Sequence, residues 1–177
     1  MHATKMSEIK APAGEADPLT IQQVFDSQLA TSRQWRESTA AERIIRLKKL
    51  RVALMARRED FYRAFTAECG KPNAEVEATE FLPILDEIRH AIGSLKRWMR
   101  PTRVWPTLTT IGTYASIHYQ PRGRCLVIAP WNFPLNLCFG PMVSALAAGN
   151  TVILKPSEMT PAVNAVMAQV VAATFAP

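Results

Sequence analysis

Cysteine, glycine and long apolar runs are all scarce in this sequence of 177 residues. Its three cysteines, an odd number, argue against a disulfide framework and favour free thiols in a reducing compartment. None of its seven glycines forms either common glycine-rich phosphate loop, so a bound nucleotide would be held by side chains and a helix start. No apolar run suits a signal peptide or a membrane span, so we expect a cytoplasmic protein without a membrane segment.

The remaining composition is typical of a folded domain, with 48% hydrophobic and 20% charged residues. The net charge of +6 is concentrated in one segment. Residues 33–63 hold ten basic and four acidic side chains, whereas residues 64–90 hold two basic and six acidic ones. Because these neighbouring segments can neutralise each other, the pattern indicates solvated helix faces and disfavours a nucleic-acid partner.

Changes in composition divide the chain into four regions. The first lacks periodicity, the second has helical periodicity, the third is rich in threonine and tyrosine, and the fourth alternates short apolar runs with helical segments. They are a loose N-terminal arm, 1–20, a helical region, 21–105, a strand arm, 106–120, and the start of a parallel-sheet domain, 121–177.

The helical region is predicted to contain three helices. The first spans about 20–35, and the second begins at the capping box Thr39-Ala-Ala-Glu42 and ends at Gly70. The third spans about 73–99, where Pro83 predicts a kink or a junction of two helices. The apolar stripe of the second helix comprises Ile44, Leu47, Leu50, Leu54, Phe61 and Phe65. The buried side of the third comprises Val76, Phe81, Leu85, Ile88, Ile92, Leu95 and Trp98.

The strand arm has the pattern of a strand or hairpin over residues 107–119. In this segment Tyr114, Ser116 and His118 alternate with more apolar residues. A hairpin that extends from a helical layer leaves an unpaired strand edge. We therefore expect a partner subunit or another part of the same chain to complete it.

The last region predicts the order strand, helix, strand, helix, over 124–129, 134–148, 151–155 and from Pro161 toward Phe175. Short connections in this order are typical of an α/β fold, here the first βαβα units of a Rossmann-like parallel sheet. The first run is suited to a strand buried on both faces. Because two strands and two helices cannot cover both faces, we expect an incomplete domain, the N-terminal portion of a longer protein.

Two loops follow the two predicted strands, at the sheet edge where such folds bind ligands. An asparagine amide there can donate to an oxyanion, and a cation and a carboxylate can bind ribose hydroxyls. The candidate residues are Ala129, Pro130, Trp131 and Asn132 in the first loop and Lys155, Pro156, Ser157 and Glu158 in the second. The alternative is structural, with Trp131 and Phe133 in core packing and Lys155 and Glu158 as a surface pair.

Two runs carry a specific resemblance. They are Tyr-Gln-Pro-Arg-Gly-Arg-Cys-Leu-Val-Ile-Ala-Pro-Trp-Asn-Phe-Pro, residues 119–134, and Gly-Asn-Thr-Val-Ile-Leu-Lys-Pro-Ser-Glu, residues 149–158. Both closely resemble the N-terminal portion of the NAD(P)-dependent aldehyde dehydrogenase superfamily. The helical stretch, with Glu-Cys-Gly-Lys-Pro at 68–72, also resembles that family, nearest the branch that acts on fatty and aromatic aldehydes such as coniferyl aldehyde. The resemblance covers about residues 20–177.

The resemblance implies roles for the loop residues in the oxidation of aldehydes to carboxylic acids. Asn132 corresponds to the oxyanion-hole amide, and the three residues before it line the cofactor cleft. Lys155 and Glu158, with Pro156 and Ser157 between them, bind the adenosine ribose of NAD. A carboxylate at Glu158 disfavours the 2′-phosphate of NADP, so NAD is the expected cofactor and NADP the alternative. The strand arm resembles the family's oligomerisation arm, which implies a homo-oligomer, and residues 121–177 correspond to the start of the NAD-binding domain.

The sequence departs from the family at the residues that perform the reaction. The family's nucleophilic cysteine and its catalytic glutamate lie C-terminal to the Lys-Pro-Ser-Glu element, whereas this sequence ends at Pro177. Cys69, Cys125 and Cys138 do not match the nucleophile motif and are interpreted as structural. The histidines lack metal-ligand spacing, so no metal site is expected. The alternative hypothesis is a truncated non-catalytic module that binds nucleotide weakly or assembles with full-length subunits.

Overall fold

The computed structural model describes residues 18–175, so most of the predicted N-terminal arm lies outside the described residues. Eight α-helices and four strands are found in that range, and Pro18, Leu19 and Thr20 already belong to the first helix. The helices are α1 Pro18–Ser27, α2 Leu29–Arg36, α3 Ala40–Ala56, α4 Arg58–Cys69, α5 Asn73–Val76, α6 Leu82–Trp98, α7 Pro134–Ala147 and α8 Pro161–Thr174. The strands are β1 Thr102–Val104, β2 Ala115–Ile117, β3 Arg124–Ile128 and β4 Thr151–Lys155.

The second predicted helix begins as expected but is divided into α3 and α4. The capping box is confirmed, because Glu42 N–H donates to Thr39 Oγ1 at 3.3 Å and Thr39 N–H donates to Glu42 Oε2 at 2.7 Å. A continuous helix to Gly70 is wrong, because Arg57 leaves helical geometry between α3 and α4. An uninterrupted helix of that length would extend about 45 Å. The break lets both helices pack against α8.

The other two predicted helices are divided as well. The segment 20–35 forms α1 and α2, which meet at Gln28. The segment 73–99 forms α5, a π-helical turn at Glu77–Phe81, and α6. Pro83 is the second residue of α6 and directly follows the π-helical turn. The backbone is helical without a break from Asn73 to Trp98, so Pro83 does not separate two helices, and the irregular feature of this segment is the π-helical turn.

One hydrophobic core joins the helical region to α7 and α8. Its fully buried side chains include most of both predicted stripes, among them Leu47, Leu50, Leu54, Phe61, Phe65, Phe81 and Ile88. Ile44, Leu85 and Ile92 are only partly buried, and Trp98 is 41% exposed, so its predicted burial is wrong. Trp98 is the last residue of α6, and its ring centroid lies 5.3 Å from that of His90 on the same helix.

The predicted strand–helix–strand–helix order is confirmed in residues 124–174. Strands β3 and β4 pair in parallel from Arg124 opposite Thr151 to Ile128 opposite Lys155. Helix α7 contacts both strands. Burial of β3 on both faces is wrong, however, because Leu126 and Ile128 on the other face are 60% and 69% exposed. No described element covers these two side chains, so the sheet is covered mainly on one side.

The turn from α7 into β4 is built on Gly149, which has a φ of +91°. A Cβ atom there would lie 2.5 Å from Cζ of the buried Arg43. Arg43 Nη1 in turn donates to the carbonyl of Ala147 at 3.2 Å, near the end of α7. Gly149, which follows the predicted helix 134–148, therefore allows a close contact between α3 and this turn.

The predicted strand arm, 106–120, holds only the second strand of a short antiparallel hairpin, in which Thr102 pairs with Ile117. Only Ala115–Ile117 of the predicted segment is a strand, and Leu108–Thr110 is a 3₁₀ turn, because the partner strand β1 precedes that segment. Both strands are exposed, as are Trp105, at 82%, and Tyr114, at 74%. Across residues 18–175, none of the helices has the length and apolar character needed to cross a membrane.

Replacement of a core side chain on α3 tests this packing. Leu54 is fully buried, whereas Val52 on the same helix is 66% exposed. We expect Leu54→Ala to lower the free energy of unfolding by about 2–5 kcal/mol, because it removes buried apolar surface and leaves a cavity. The matched control, Val52→Ala, should change it by no more than about 0.5 kcal/mol. Urea denaturation of both variants checks this, and equal losses would contradict the described core.

Candidate functional site

The two candidate loops leave the sheet side by side. At the ends of β3 and β4, Ala129 N–H donates to the carbonyl of Lys155 at 3.1 Å, which extends the parallel pairing by one residue. Residues 129–133, the first loop, and 156–160, the second loop, therefore begin at neighbouring points on the same edge. This edge is the carboxyl end of the parallel sheet, where folds of this class bind ligands.

The first loop exposes the side chains that carry its predicted chemistry. Ala129 is buried, whereas Pro130, Trp131 and Asn132 are exposed. Trp131 is 59% exposed, so its structural interpretation as core packing is wrong for the described chain. The Asn132 side chain faces solvent, but its backbone carbonyl accepts a hydrogen bond from Lys71 Nζ at 3.0 Å. The loop thus combines an anchored backbone with an accessible amide.

The second loop carries an exposed ion pair. Lys155 Nζ lies 3.1 Å from Glu158 Oε2, and the two side chains are 59% and 79% exposed. A hydrogen bond from its own backbone N–H and the nearby Lys155 ammonium lower the pKa of Glu158. Because water screens such a pair, it adds little to stability and can exchange its partners for a ligand.

The residues between that pair shape the loop. Ser157 is buried, and its hydroxyl accepts a hydrogen bond from Met159 N–H at 3.3 Å. Its carbonyl accepts from Asn164 Nδ2 at 2.6 Å, which connects the loop to α8. Pro156 is half-buried beside it. Ser157 therefore anchors the turn, and the side chains of Lys155 and Glu158 extend from it into solvent.

A buried ion pair lies directly behind the first loop, and the sequence patterns did not identify it. Glu80 is fully buried, and its Oε1 lies 2.8 Å from Nζ of Lys71, whose side chain is 13% exposed. Glu80 Oε2 accepts a hydrogen bond from Asn136 N–H at 2.9 Å, in the first turn of α7. The π-helical turn thus holds the start of the helix that follows the first loop.

A second carboxylate of the helical region plays the same part for α8. Glu68 accepts hydrogen bonds from Val163 N–H, at 3.0 Å, and from Ala162 N–H. Neither α7 nor α8 has a side-chain cap from its own N-cap residue, Phe133 or Thr160. A helix start was expected to help hold a nucleotide, but at α7 and α8 the chain's own carboxylates already bind N–H groups of the first turn.

A sequence signal for Glu80 existed. Val76, Glu80, Ile84 and Ile88 recur every four residues, so Glu80 lies between two members of the predicted buried side, Val76 and Ile88, although it was not included there. A carboxylate on such a stripe needs a partner. Glu68 and Lys71 belong to the Glu-Cys-Gly-Lys-Pro segment, which by itself indicated only the family resemblance and no role for either side chain.

The described residues contain no group of three or more His, Cys, Asp or Glu side chains arranged to hold a metal ion. Cys138 is fully buried on α7, Cys125 is half-buried on β3, and Cys69 is exposed at the end of α4.

Comparison with known proteins gives a consistent result. The model of the "Aldehyde dehydrogenase family" matches residues 4–177. The chain is 40% identical over 129 residues, 73% of its length, to the 4,4'-diaponeurosporen-aldehyde dehydrogenase of Staphylococcus aureus. It is 37% identical over 137 residues, 77% of its length, to a probable coniferyl aldehyde dehydrogenase of Pseudomonas aeruginosa. These matches cover 28% and 29% of the two relatives.

The fold is also similar to solved structures. A substrate-bound AldH from Staphylococcus aureus superposes with a TM-score of 0.85 and 36% identity, over 88% of this chain and 34% of that one. A succinic semialdehyde dehydrogenase from Streptococcus pyogenes in complex with NADP+ has a TM-score of 0.78, over 92% of this chain and 35% of that one, at 18% identity. The latter supports the fold alone. The chain spans about a third of the length of these relatives, and it belongs to the aldehyde dehydrogenase family.

Proposed function

We propose that the chain is the N-terminal part of an enzyme that oxidises aldehydes to carboxylic acids with NAD(P), and that Asn132 supplies an oxyanion-hole amide. The observation that carries the proposal is the position of Asn132. It lies at the carboxyl end of the parallel sheet, with its backbone held by Lys71 and its side chain exposed.

Asn132 can stabilise the charge that develops on the substrate oxygen. When a thiolate attacks an aldehyde, the carbonyl oxygen becomes an oxyanion, and an amide N–H held in place can donate a hydrogen bond to it. Preorganisation matters because an amide that is already oriented loses little free energy when the charge appears. The Asn132 carbonyl, which accepts a hydrogen bond from Lys71, fits this requirement.

The second loop fits the ribose of a dinucleotide. Lys155 and Glu158 are exposed, three residues apart, and already paired through atoms that can each bind a hydroxyl group. Ala129, Pro130 and Trp131 form the adjacent wall, and Pro156 and Ser157 shape the turn between the two charged residues. Bound NAD(P) would supply a hydride acceptor. NAD is favoured over NADP because the Glu158 carboxylate repels a 2′-phosphate.

The partners and location belong to the same proposal. The arm exposes Trp105, Leu108 and Tyr114 on a hairpin with open edges, which supports pairing with a second subunit in a homo-oligomer such as a dimer. The three free cysteines support a reducing compartment, and the proposed location is therefore the cytoplasm. Aldehydes are the proposed substrates.

The proposal is tested by comparing the 177-residue chain with the complete gene product from the native cell. We expect the chain alone to give no aldehyde-dependent reduction of NAD, since none of its thiols matches the family's nucleophile. The complete product should reduce NAD and have a greater intact mass. A native product that has the mass of the 177-residue chain and no turnover would instead favour the non-catalytic module. Thiol-dependent turnover by the chain alone would contradict the assignment of its cysteines.

Cys138 lies only six residues after Asn132, so its reactivity is an independent check on the assignment of this thiol as structural. Burial raises the pKa of its thiol to about 11, so the reactive thiolate is scarce near neutral pH. We expect iodoacetamide to modify the exposed Cys69 of the native chain and to modify Cys138 only after unfolding. Mass spectrometry of the peptides distinguishes the two sites. Equal modification in the native chain would reopen the assignment of Cys138 as structural.

The preference for NAD is tested at Glu158. Glu158→Gln removes the charge that opposes a 2′-phosphate, so the affinity for NADP relative to NAD should rise by about five- to tenfold. Titration calorimetry of the complete gene product with both nucleotides measures this ratio. Glu37→Gln, an exposed carboxylate at the end of α2, is the control and should leave the ratio unchanged. If the ratio stays the same in both variants, Glu158 does not select the cofactor.

A further inference from the structure

Lys71 makes three contacts at the base of the first loop. Its ammonium lies 2.8 Å from Glu80 Oε1 and donates to the Asn132 carbonyl at 3.0 Å. It also lies 4.4 Å from the ring centroid of Phe133. The carbonyl of one residue and the ring of the next are thus held by the same cation. These contacts restrain the peptide group that follows the Asn132 Cα.

The segment that carries Glu80 provides further anchors just beyond this peptide group. Glu80 Oε2 accepts from Asn136 N–H at 2.9 Å, and Asn136 Nδ2 donates to the Thr79 carbonyl at 3.2 Å. Residues 132, 133 and 136 are therefore all attached to residues 71–80. The exposed Asn132 side chain is left out of these contacts and can reach a ligand.

The chemistry of this cluster favours a geometric role. A buried ion pair adds little net stability compared with apolar side chains of the same size, because both charges lose their hydration. An apolar pair could not donate to the Asn132 carbonyl or accept from the Asn136 N–H. The charged pair does both, so its distinctive contribution is the placement of the first loop.

We propose that Lys71 and Glu80 are positioning residues that hold the Asn132 amide in the orientation needed to bind the substrate oxyanion. The inference rests on the proposed function of Asn132. Neither residue touches the reacting atoms in this proposal. Lys71 acts through the Asn132 carbonyl, and Glu80 acts by holding both the Lys71 ammonium and the start of α7.

The main variant is the double substitution Lys71→Met with Glu80→Gln. It leaves no unpaired buried charge, and the new amide oxygen can still accept from Asn136 N–H, so the fold should survive. The Asn132 carbonyl, however, loses its donor. Lys71→Arg, which can still donate to both oxygens, is the conservative variant. Glu77→Gln is the matched control, since Glu77 lies in the same turn but bonds to Arg58 and Tyr62.

Steady-state kinetics of the complete gene product provide the first readout. We expect kcat to fall by about 10- to 100-fold in the double variant, while the KM for NAD changes by less than about twofold. Lys71→Arg should recover most of kcat, and Glu77→Gln should retain it. An unchanged kcat in the double variant would overturn the inference. An equal loss in Glu77→Gln would do the same, because it would indicate general damage to the turn.

A combination with Asn132→Ala separates this inference from the function on which it rests. Asn132→Ala alone should lower kcat by about 10²- to 10³-fold. If Lys71 and Glu80 act through Asn132, their substitution in that background should cause no further loss. A further loss overturns the positioning role. Full activity of Asn132→Ala overturns the oxyanion role itself, whatever the double variant shows.

A structural readout on the 177-residue chain does not depend on turnover. In nitrogen-15 NMR spectra, the backbone amide signals of Asn132 and Phe133 should shift in the double variant, because the Asn132 carbonyl between them loses its donor. They should stay in place in Glu77→Gln. Unchanged signals in the double variant would contradict the proposal that Lys71 orients Asn132.

Discussion

The candidate site depends on one constraint. Carboxylates of the helical region cap α7 and α8, the two helices that follow the strands of the parallel sheet. Glu80 binds the start of α7, and Glu68 binds the start of α8. Each helix follows one of the two loops at the carboxyl end of the sheet. Because helix starts have unpaired N–H groups and a partial positive charge, a carboxylate there is stabilised and fixes the helix in place. The helical region therefore positions both loops without contributing a strand to the sheet.

The same arrangement separates structural groups from groups that can perform chemistry. Buried or partly buried side chains, such as Glu80, Lys71 and Ser157, bond to backbone atoms of the loops and helix starts. The exposed side chains, Asn132 and the Lys155–Glu158 pair, keep their polar atoms accessible. A site that must bind a ligand precisely needs both kinds, because the accessible groups are oriented only when their backbone is held.

Two surfaces of the described residues expose large apolar side chains. The outer face of β3 and the strand arm both expose large apolar side chains, including Leu126, Ile128 and Trp105. By contrast, the core between the helical region, α7 and α8 is closed. The described residues thus combine one buried core with two exposed apolar surfaces, in a chain that spans about a third of its relatives' length.

The sequence by itself determined the features that depend on near neighbours: the capping box at Thr39, the turn at Gly149, the bounds of β4 and the two loops. Tertiary structure alone decided the break at Arg57, the π-helical turn and the partners of Glu80. Glu80 bonds to a residue nine positions away and to another fifty-six positions away. Local periodicity shows that a side chain is directed inward, but the group that it meets there depends on how distant segments pack.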